Sequence, residues 1–438
     1  MTIRTLSHLP VTAVCVLLHA CGGGGSSNTA ASTPAPSAGS APAQASAPAA
    51  ASTPAAASAP LAASSPSAAS NVVVQSSTPN VQPIQVTRTA TGTRNMLQTS
   101  VTLCIPGTNT CQTIDNIQVD TGSQGLRVLA SALAPSIALP LVAGSAGSAG
   151  SSVVAECAVF GSGYTWGAVR QADVRLAGQL ASATSVQLIA DSAVPAAATD
   201  CSQSGLPMLT ASNLRGNGIL GVGPFTADCG GGCAVSAMPR WYYNCTAGAC
   251  SASTLAVAQQ VTNPIARFAT DNNGVLIELP AVPPEGASAV AGTMTFGIGS
   301  QANNGLGSAT VLKSNSITGY VSTNFGGSDY GSSFIDSGSN GLFFPSTTLT
   351  SCGVWYCPAT TQTLSATLSS PTGATAGVSF SVGKSTTLLS SGNYAFSNLA
   401  GPASGFFDWG LPFFYGRRVF TALEGRPTPA GDGPYYAF

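Results

Sequence analysis

From about Leu97 onward, apolar and polar positions alternate in short runs separated by Gly, Pro, Asn and Ser, the period-two pattern of half-buried strands. The run "TSVTLCIPGTNTCQTIDNIQV", 99–119, reads as a hairpin: a β-branched strand, a Pro-Gly-Thr-Asn turn, and a return strand into Asp120. "SVQLIA", "GVLIELP", "GTMTFGIG", "SATVLK" and "GVSFSV" predict further short strands at the spacing of packed sheets. Helix signals are few: "ASALA" at 130–134, "STLAVAQQV" at 253–261 and "LPFFYGRRVF" at 411–420. The pattern therefore predicts a mainly β chain. No strand leads into a GxGxxG or P-loop sequence, and "GSAGSAGSS" at 144–152 reads as a loop.

Upstream the pattern changes. Met1–Ala20 has Arg4, an apolar run from Leu9 to Leu18 and a small residue before Cys21, which predicts a secretory signal peptide over 1–20. The apolar run is shorter than the roughly 20 residues a membrane-spanning helix needs. "LLHAC" resembles the lipobox of bacterial lipoproteins, with Cys21 as the lipidated residue and His19 an uncommon choice within it. Ordinary cleavage nearby, with Cys21 incidental, is the alternative. Gly22 to about Ser77 is nearly pure Ala, Ser, Pro and Gly, a composition that buries too little apolar surface to fold. The expected organisation is a lipid anchor and tether over 21–84, then folded lobes at 85–285 and 286–438. Lipidation of Cys21 implies a membrane partner and a bacterial cell envelope location, with the outer membrane expected. The fold is expected to work as a monomer.

Composition narrows the chemistry. Only 7% of the residues are charged and the net charge is −1, which gives nucleic acid no basic surface to bind. Both histidines, His8 and His19, lie in the signal peptide, so the mature chain has no Ser-His-Asp or Cys-His machinery and no His-ligated metal. Neither a metal nor a cofactor is expected, and acid–base work falls to carboxylates. Ten of the twelve cysteines fall in the folded part, and in an oxidising compartment they predict disulfides. Spacing suggests Cys104–Cys111, Cys229–Cys233, Cys245–Cys250 and Cys352–Cys357, leaving Cys157 for Cys201. A nested arrangement, Cys229–Cys250 with Cys233–Cys245, is equally compatible with the spacing.

One motif occurs twice: "VDTGSQGLRV" at 119–128 and "IDSGSNGLFF" at 335–344. Each is an apolar residue, Asp, a small hydroxyl residue, Gly, Ser, an amide, Gly and Leu. Two such turns suggest two similar lobes, each giving one Asp to a shared interface. Two carboxyls about 3 Å apart cannot both ionise, so they share a proton and titrate as a pair. One can then take a proton from water while the other donates to a carbonyl oxygen. Thr121, Gly122, Ser123, Ser337, Gly338 and Ser339 are the expected supports, with the two Ser hydroxyls holding the outer carboxylate oxygens.

With these residues the chain resembles the pepsin-like, bilobal aspartic proteases. "FGSGYTWGAVRQADVRL", 160–176, resembles the first-lobe flap, and "NGILGVG", 217–223, the segment threaded beside the first catalytic loop. "GTMTFGIG", 292–299, resembles the start of the second lobe, and "DWGLPFFYGRRVFTAL", 408–423, its last threaded segment. The motifs also point to a bacterial lipoprotein family that shares them. The resemblance implies a two-lobed fold with a pseudo-twofold axis and a central cleft. It further implies Asp120 and Asp336 as catalytic residues, and a peptide or protein as substrate. A β-hairpin at 157–170 is expected over the carboxyls, with Phe160, Gly161, Ser162, Gly163, Tyr164 and Trp166 as substrate cover, a mobile glycine tip and a base tied by Cys157. The departures are Phe160 in place of the flap Tyr, Gly125 where Asn is common, Arg127 in place of Trp, and Asp408 where an apolar residue is usual. No zymogen segment is evident. A silent relative that binds peptides without cleaving them is the alternative reading.

Overall fold

Strand Leu97–Cys104 turns at the Pro106-Gly107 corner and returns as Cys111–Asp120, with Cys104 opposite Cys111 and a disulfide joining them. That first hairpin belongs to a computed structural model describing residues 78–144, 152–246 and 248–438. The signal peptide, Cys21 and nearly all of the tether expected over 21–84 lie outside the described residues, as does most of the glycine-rich 144–152 stretch. Among the described residues no helix is long and apolar enough to cross a membrane.

The chain is mainly β. One sheet has fifteen strands, a second has seven, and a two-stranded ribbon joins Ser351–Cys352 to Trp355–Tyr356. The large sheet curls through the first half of the described chain. It then continues through Val81–Val86, Val290–Phe296, Gly274–Leu279, Arg417–Ala422 and Tyr435–Ala437, so strands from both ends of the sequence share it. The seven-stranded sheet contains Val321–Phe325, Ser328–Ile335, Leu342–Phe344, Gln362–Ser369, Thr375–Val382 and Phe407–Trp409. One apolar core connects the two sheets, with Val119, Leu126, Ile335, Leu342 and Trp409 among its members. The boundary expected at 285/286 falls in the loop between two paired antiparallel strands, Gly274–Leu279 and Val290–Phe296.

The strand expectations are met. The expected helices are corrected: Ala130–Ala132, Val257–Gln259 and Leu411–Phe413 are single 3-10 turns. The runs are too short to repay helix nucleation. Beyond Phe413 the chain extends as strand Arg417–Ala422, because pairing with Gly274–Leu279 on one side and Tyr435–Ala437 on the other satisfies its backbone. All five disulfides join near neighbours where near neighbours exist: Cys229–Cys233, Cys245–Cys250 and Cys352–Cys357, with Cys157–Cys201 remaining. The nested alternative is excluded because Cys245 and Cys250 are opposite partners in a tight hairpin.

Candidate functional site

Both copies of the repeated motif adopt one topology. Strand Cys111–Asp120 enters the first turn and Gln124–Leu129 leaves it, while Gly218–Val222 runs between them, parallel to the first and antiparallel to the second. At the second turn Ser328–Ile335 enters, Leu342–Phe344 leaves, and Phe407–Trp409 takes the threaded place in the same senses. The threading demands glycine. A Cβ on Gly221 would meet the Gln124 backbone at 2.7 Å, and Gly125, at φ +91°, would push one to 2.4 Å from Val261. The small, left-handed-tolerant residue at 125 thus follows from the close strand crossing.

The turns then hold each other through four reciprocal hydrogen bonds. The Thr121 N–H donates to Ser337 Oγ at 3.1 Å and the Ser337 N–H to Thr121 Oγ1 at 2.9 Å. Each hydroxyl donates onward to the opposite strand, Thr121 to the Ile335 carbonyl and Ser337 to the Val119 carbonyl. All four groups are buried, so each bond is made where water cannot replace it.

This grip brings Asp120 and Asp336 together. Within each turn one carboxyl oxygen accepts from the glycine N–H two residues on: Gly122 at 2.8 Å and Gly338 at 2.7 Å. The other oxygen accepts from the serine three residues on: Ser123 at 2.5 Å and Ser339 at 2.8 Å. Each glycine also lies against the opposite carboxyl. A Cβ on Gly122 would sit 2.7 Å from Asp336 Cγ, and one on Gly338 2.6 Å from Asp120 Oδ1. Asp336 is raised well above the ordinary carboxylate range, first by burial and then by the charge and hydrogen bond of Asp120. A pair so placed keeps one proton between its members and offers a base and an acid side by side.

The carboxyls open into a cleft of about 70 Å³ whose lining includes Phe160 and Ser162, together with Met208, Leu214 and Arg215. Phe160 and Ser162 belong to the hairpin Val153–Phe160/Gly163–Leu176, so a hairpin does border the pair, as expected. Two details differ from expectation. Tyr164 and Trp166 do not line the cleft. Both are buried with Tyr243 and the Cys157–Cys201 pair, and the Trp166 indole donates to the Pro195 carbonyl at 2.9 Å. Nor is the tip free: the Tyr164 N–H donates to the Leu206 carbonyl, and the Met208 N–H to the Tyr164 carbonyl. Gly163 is where the strap passes, since a Cβ there would lie 2.0 Å from Leu206 O. Gly161 forms the turn beside Ser162, whose hydroxyl reaches Met208 Sδ at 3.1 Å.

Arg127, noted as a departure, anchors a buried network under the hairpin. It pairs with Glu156 and Asp228, donates to the Gln124 carbonyl, and carries Phe160 over its guanidinium at 5.7 Å. The Tyr242 hydroxyl donates to Asp228 at 2.5 Å. Burial and the neighbouring Glu156 raise Asp228 well above the usual range, outweighing Arg127. The network links the strand after the first turn to the hairpin base.

Sequence reasoning passed over Asn95 and Gln118, and noted Asp408 only as a departure from the pattern. Asn95, at φ +48°, is fully buried and binds both the Asn340 and Phe396 carbonyls through its amide, beside the second turn. Gln118 donates to the Gly338 carbonyl at 2.7 Å. Asp408 is fully buried behind Asp336 and neither of its oxygens finds a hydrogen-bond partner; Ser339, the hydroxyl closest in influence, is committed to Asp336. None of the three stands in a repeated motif, and only the unusual acidic residue at 408 left a mark in the sequence. Among the described residues, no cluster of His, Cys, Asp and Glu could hold a metal ion.

A family model described as "Protein of unknown function (DUF3443)" matches residues 76–438, and the chain belongs to that family. No curated protein matches it.

Proposed function

We propose that this member of the family is an aspartic endopeptidase in which Asp120 and Asp336 activate one water. The observation that carries the reading is the reciprocal grip of two like turns, which sets two carboxyls against each other at the floor of a cleft. Burial and the neighbouring Asp120 raise Asp336 well above the ordinary carboxylate range, and the acid role is assigned to it, the base role to Asp120. Asp120 removes a proton from the water as its oxygen attacks the peptide carbonyl carbon, while Asp336 donates to the carbonyl oxygen. The tetrahedral diol then collapses. Its C–N bond breaks, the leaving nitrogen takes the proton held by Asp120, and one diol hydroxyl returns its proton to Asp336. A carboxylic acid and an amine leave with the pair back in its starting state. On this reading the fold is the pepsin-like one, with two lobes about a pseudo-twofold axis, and an extended peptide fills the cleft beside the hairpin edge. Lipidation at Cys21 would hold the enzyme, as a monomer, on the outer membrane of the cell envelope, with Gly22 to Ser77 as tether.

The test is hydrolysis of a mixed peptide library from pH 3 to 7, with and without pepstatin. Wild-type chain is expected to cleave, pepstatin to inhibit, and Asp120→Asn or Asp336→Asn to lose at least about 10³-fold in kcat while remaining folded. The rate should fall at higher pH as Asp336 gives up its proton, a point set well above the ordinary carboxylate range by burial and Asp120. Retained cleavage in either Asn variant would remove this mechanism. A silent, peptide-binding protein is the second reading. It is favoured by Phe160, which brings no hydroxyl to the cleft, and by the strapped hairpin tip; binding of pepstatin without any cleavage would select it.

A further inference from the structure

A second cavity, of about 190 Å³, shares no residue with the cleft. Its walls are Phe380, Phe413, Tyr415 and Trp409, and its polar groups are Arg417 and the hydroxyls of Ser379, Ser381 and Ser397. One water needs about 10–15 Å³ by the same measure, so the space holds a small organic molecule.

Arg417 is the informative group. Its neighbour Arg418 pairs with Glu278 at 2.7 Å, but among the described residues no carboxylate pairs with Arg417. The guanidinium lies 4.7 Å over the Phe413 ring and spends one donor, Nη1, on the Phe413 carbonyl. The other donors, and the three serine hydroxyls, hydrogen-bond no described protein group, and none of them is a buried orphan. All four residues line the cavity, Ser379 exposed and Ser381, Ser397 and Arg417 half-buried. Burial also makes the cation less favourable there, lowering the Arg417 pKa with no charge nearby to offset it. A partly dry guanidinium lacks a carboxylate partner among the described residues, and it sits beside buried rings in which Trp409 packs on both Phe380 and Phe413.

We propose that this cavity is a binding site for a small organic carboxylate with an aromatic or aliphatic body, its carboxylate paired with Arg417 and the serine hydroxyls and its body against Phe380, Phe413 and Trp409. Arg suits the task because its planar fork matches a carboxylate in two parallel bonds. The site also adjoins the second turn, since the Trp409 carbonyl accepts the Asp336 N–H at 3.0 Å.

The test uses the full chain and phenylacetate as probe, with phenylacetamide as the neutral isostere and sulfate as the bare anion. Ligand that binds only the folded state raises Tm with concentration. Phenylacetate is expected to do so in wild type, with at least tenfold weaker apparent affinity in Arg417→Met and no shift from phenylacetamide. An equal shift with phenylacetamide, an equal shift in Arg417→Met, or no shift with phenylacetate at all would overturn the proposal. So would a sulfate shift as large as that of phenylacetate, because it would leave the apolar walls without a role. If Arg417→Met does not fold, Ser381→Leu keeps the cation and narrows the mouth. It must then lose the phenylacetate shift, and its keeping the shift would overturn the site.

Discussion

Asp408 puts a third carboxyl behind the Asp120–Asp336 pair, and among the described residues no hydrogen bond reaches either of its oxygens. Burial, followed by the charge of Asp336, holds it well above the usual carboxylate range, so it is neutral in the folded chain at moderately acid pH. The consequence for stability has a definite sign. Below about pH 4 both folded and unfolded forms carry the proton. As pH rises from there, the unfolded chain releases it and the folded chain does not, and stability falls by up to about 1.4 kcal/mol per pH unit until Asp408 ionises. Unfolding free energy measured from pH 4 to pH 7 should therefore decline in wild type and decline less steeply in Asp408→Asn. Hydrolysis at pH 4 to 5 should survive that change within a few-fold, because the amide replaces a neutral acid. Identical stability curves would show that Asp408 is ionised in both states. The sequence marked position 408 as unusual, but burial is a property of the fold, and a single acidic letter carries no sign of it.

At the scale of elements, the two turns were legible and the hairpin only partly so. A turn of Asp, hydroxyl residue, Gly and Ser is defined by residues adjacent in sequence, so its internal hydrogen bonds can be anticipated, and the Ser123 and Ser339 contacts fall where that logic puts them. The glycines carry a further demand that only the assembled pair exposes. Gly122→Ala would place a methyl group 2.7 Å from Asp336 Cγ and 2.8 Å from both its oxygens. Overpacking of this kind costs about 1–3 kcal/mol and pries the carboxyls apart, so Tm should fall and cleavage should be lost together. Gly305→Ala, with open space around the added carbon, is the control and should change neither. In the hairpin the aromatic side chains at 160, 164 and 166 look equivalent in sequence, yet residues across the disulfide bury two of them. Trp166→Ala should lower stability by about 3–5 kcal/mol as a buried aromatic deletion while leaving KM for a peptide unchanged at temperatures where the variant is folded. Phe160→Tyr, which adds a hydroxyl at the cleft wall, should raise kcat with little change in Tm. The reverse pattern would mean that Trp166, and not Phe160, covers the substrate.

Over the whole molecule, the strand pattern foretold a mainly β chain, but it could not foretell how the sheets join, because the joining residues are far apart in sequence and fit no period. Asn95 shows why. Its left-handed backbone and its position after Arg94 mark an ordinary turn, yet the side chain is a buried connector between segments 245 to 320 residues away. Its amide donates to the Asn340 and Phe396 carbonyls, and its Oδ1 accepts from the Phe396 N–H and the Tyr415 hydroxyl. Asn340 follows Ser339 directly and lines the cleft, so this amide fixes the far side of the second turn to the first part of the chain. Removing it leaves several buried groups unpaired at once, each costing about 1–3 kcal/mol. Asn95→Ala should therefore destabilise the whole described unit by several kcal/mol in a single cooperative transition, because the core is shared by both sheets. Asn95→Asp keeps the size and the acceptor but loses the two donors, so its loss should fall between wild type and Asn95→Ala. Denaturant unfolding followed by both tryptophan fluorescence and far-UV circular dichroism checks this: coincident curves with a lowered midpoint are expected. If the two probes separate, with the second half melting alone, Asn95 is a local turn residue and the two sheets are stable without it.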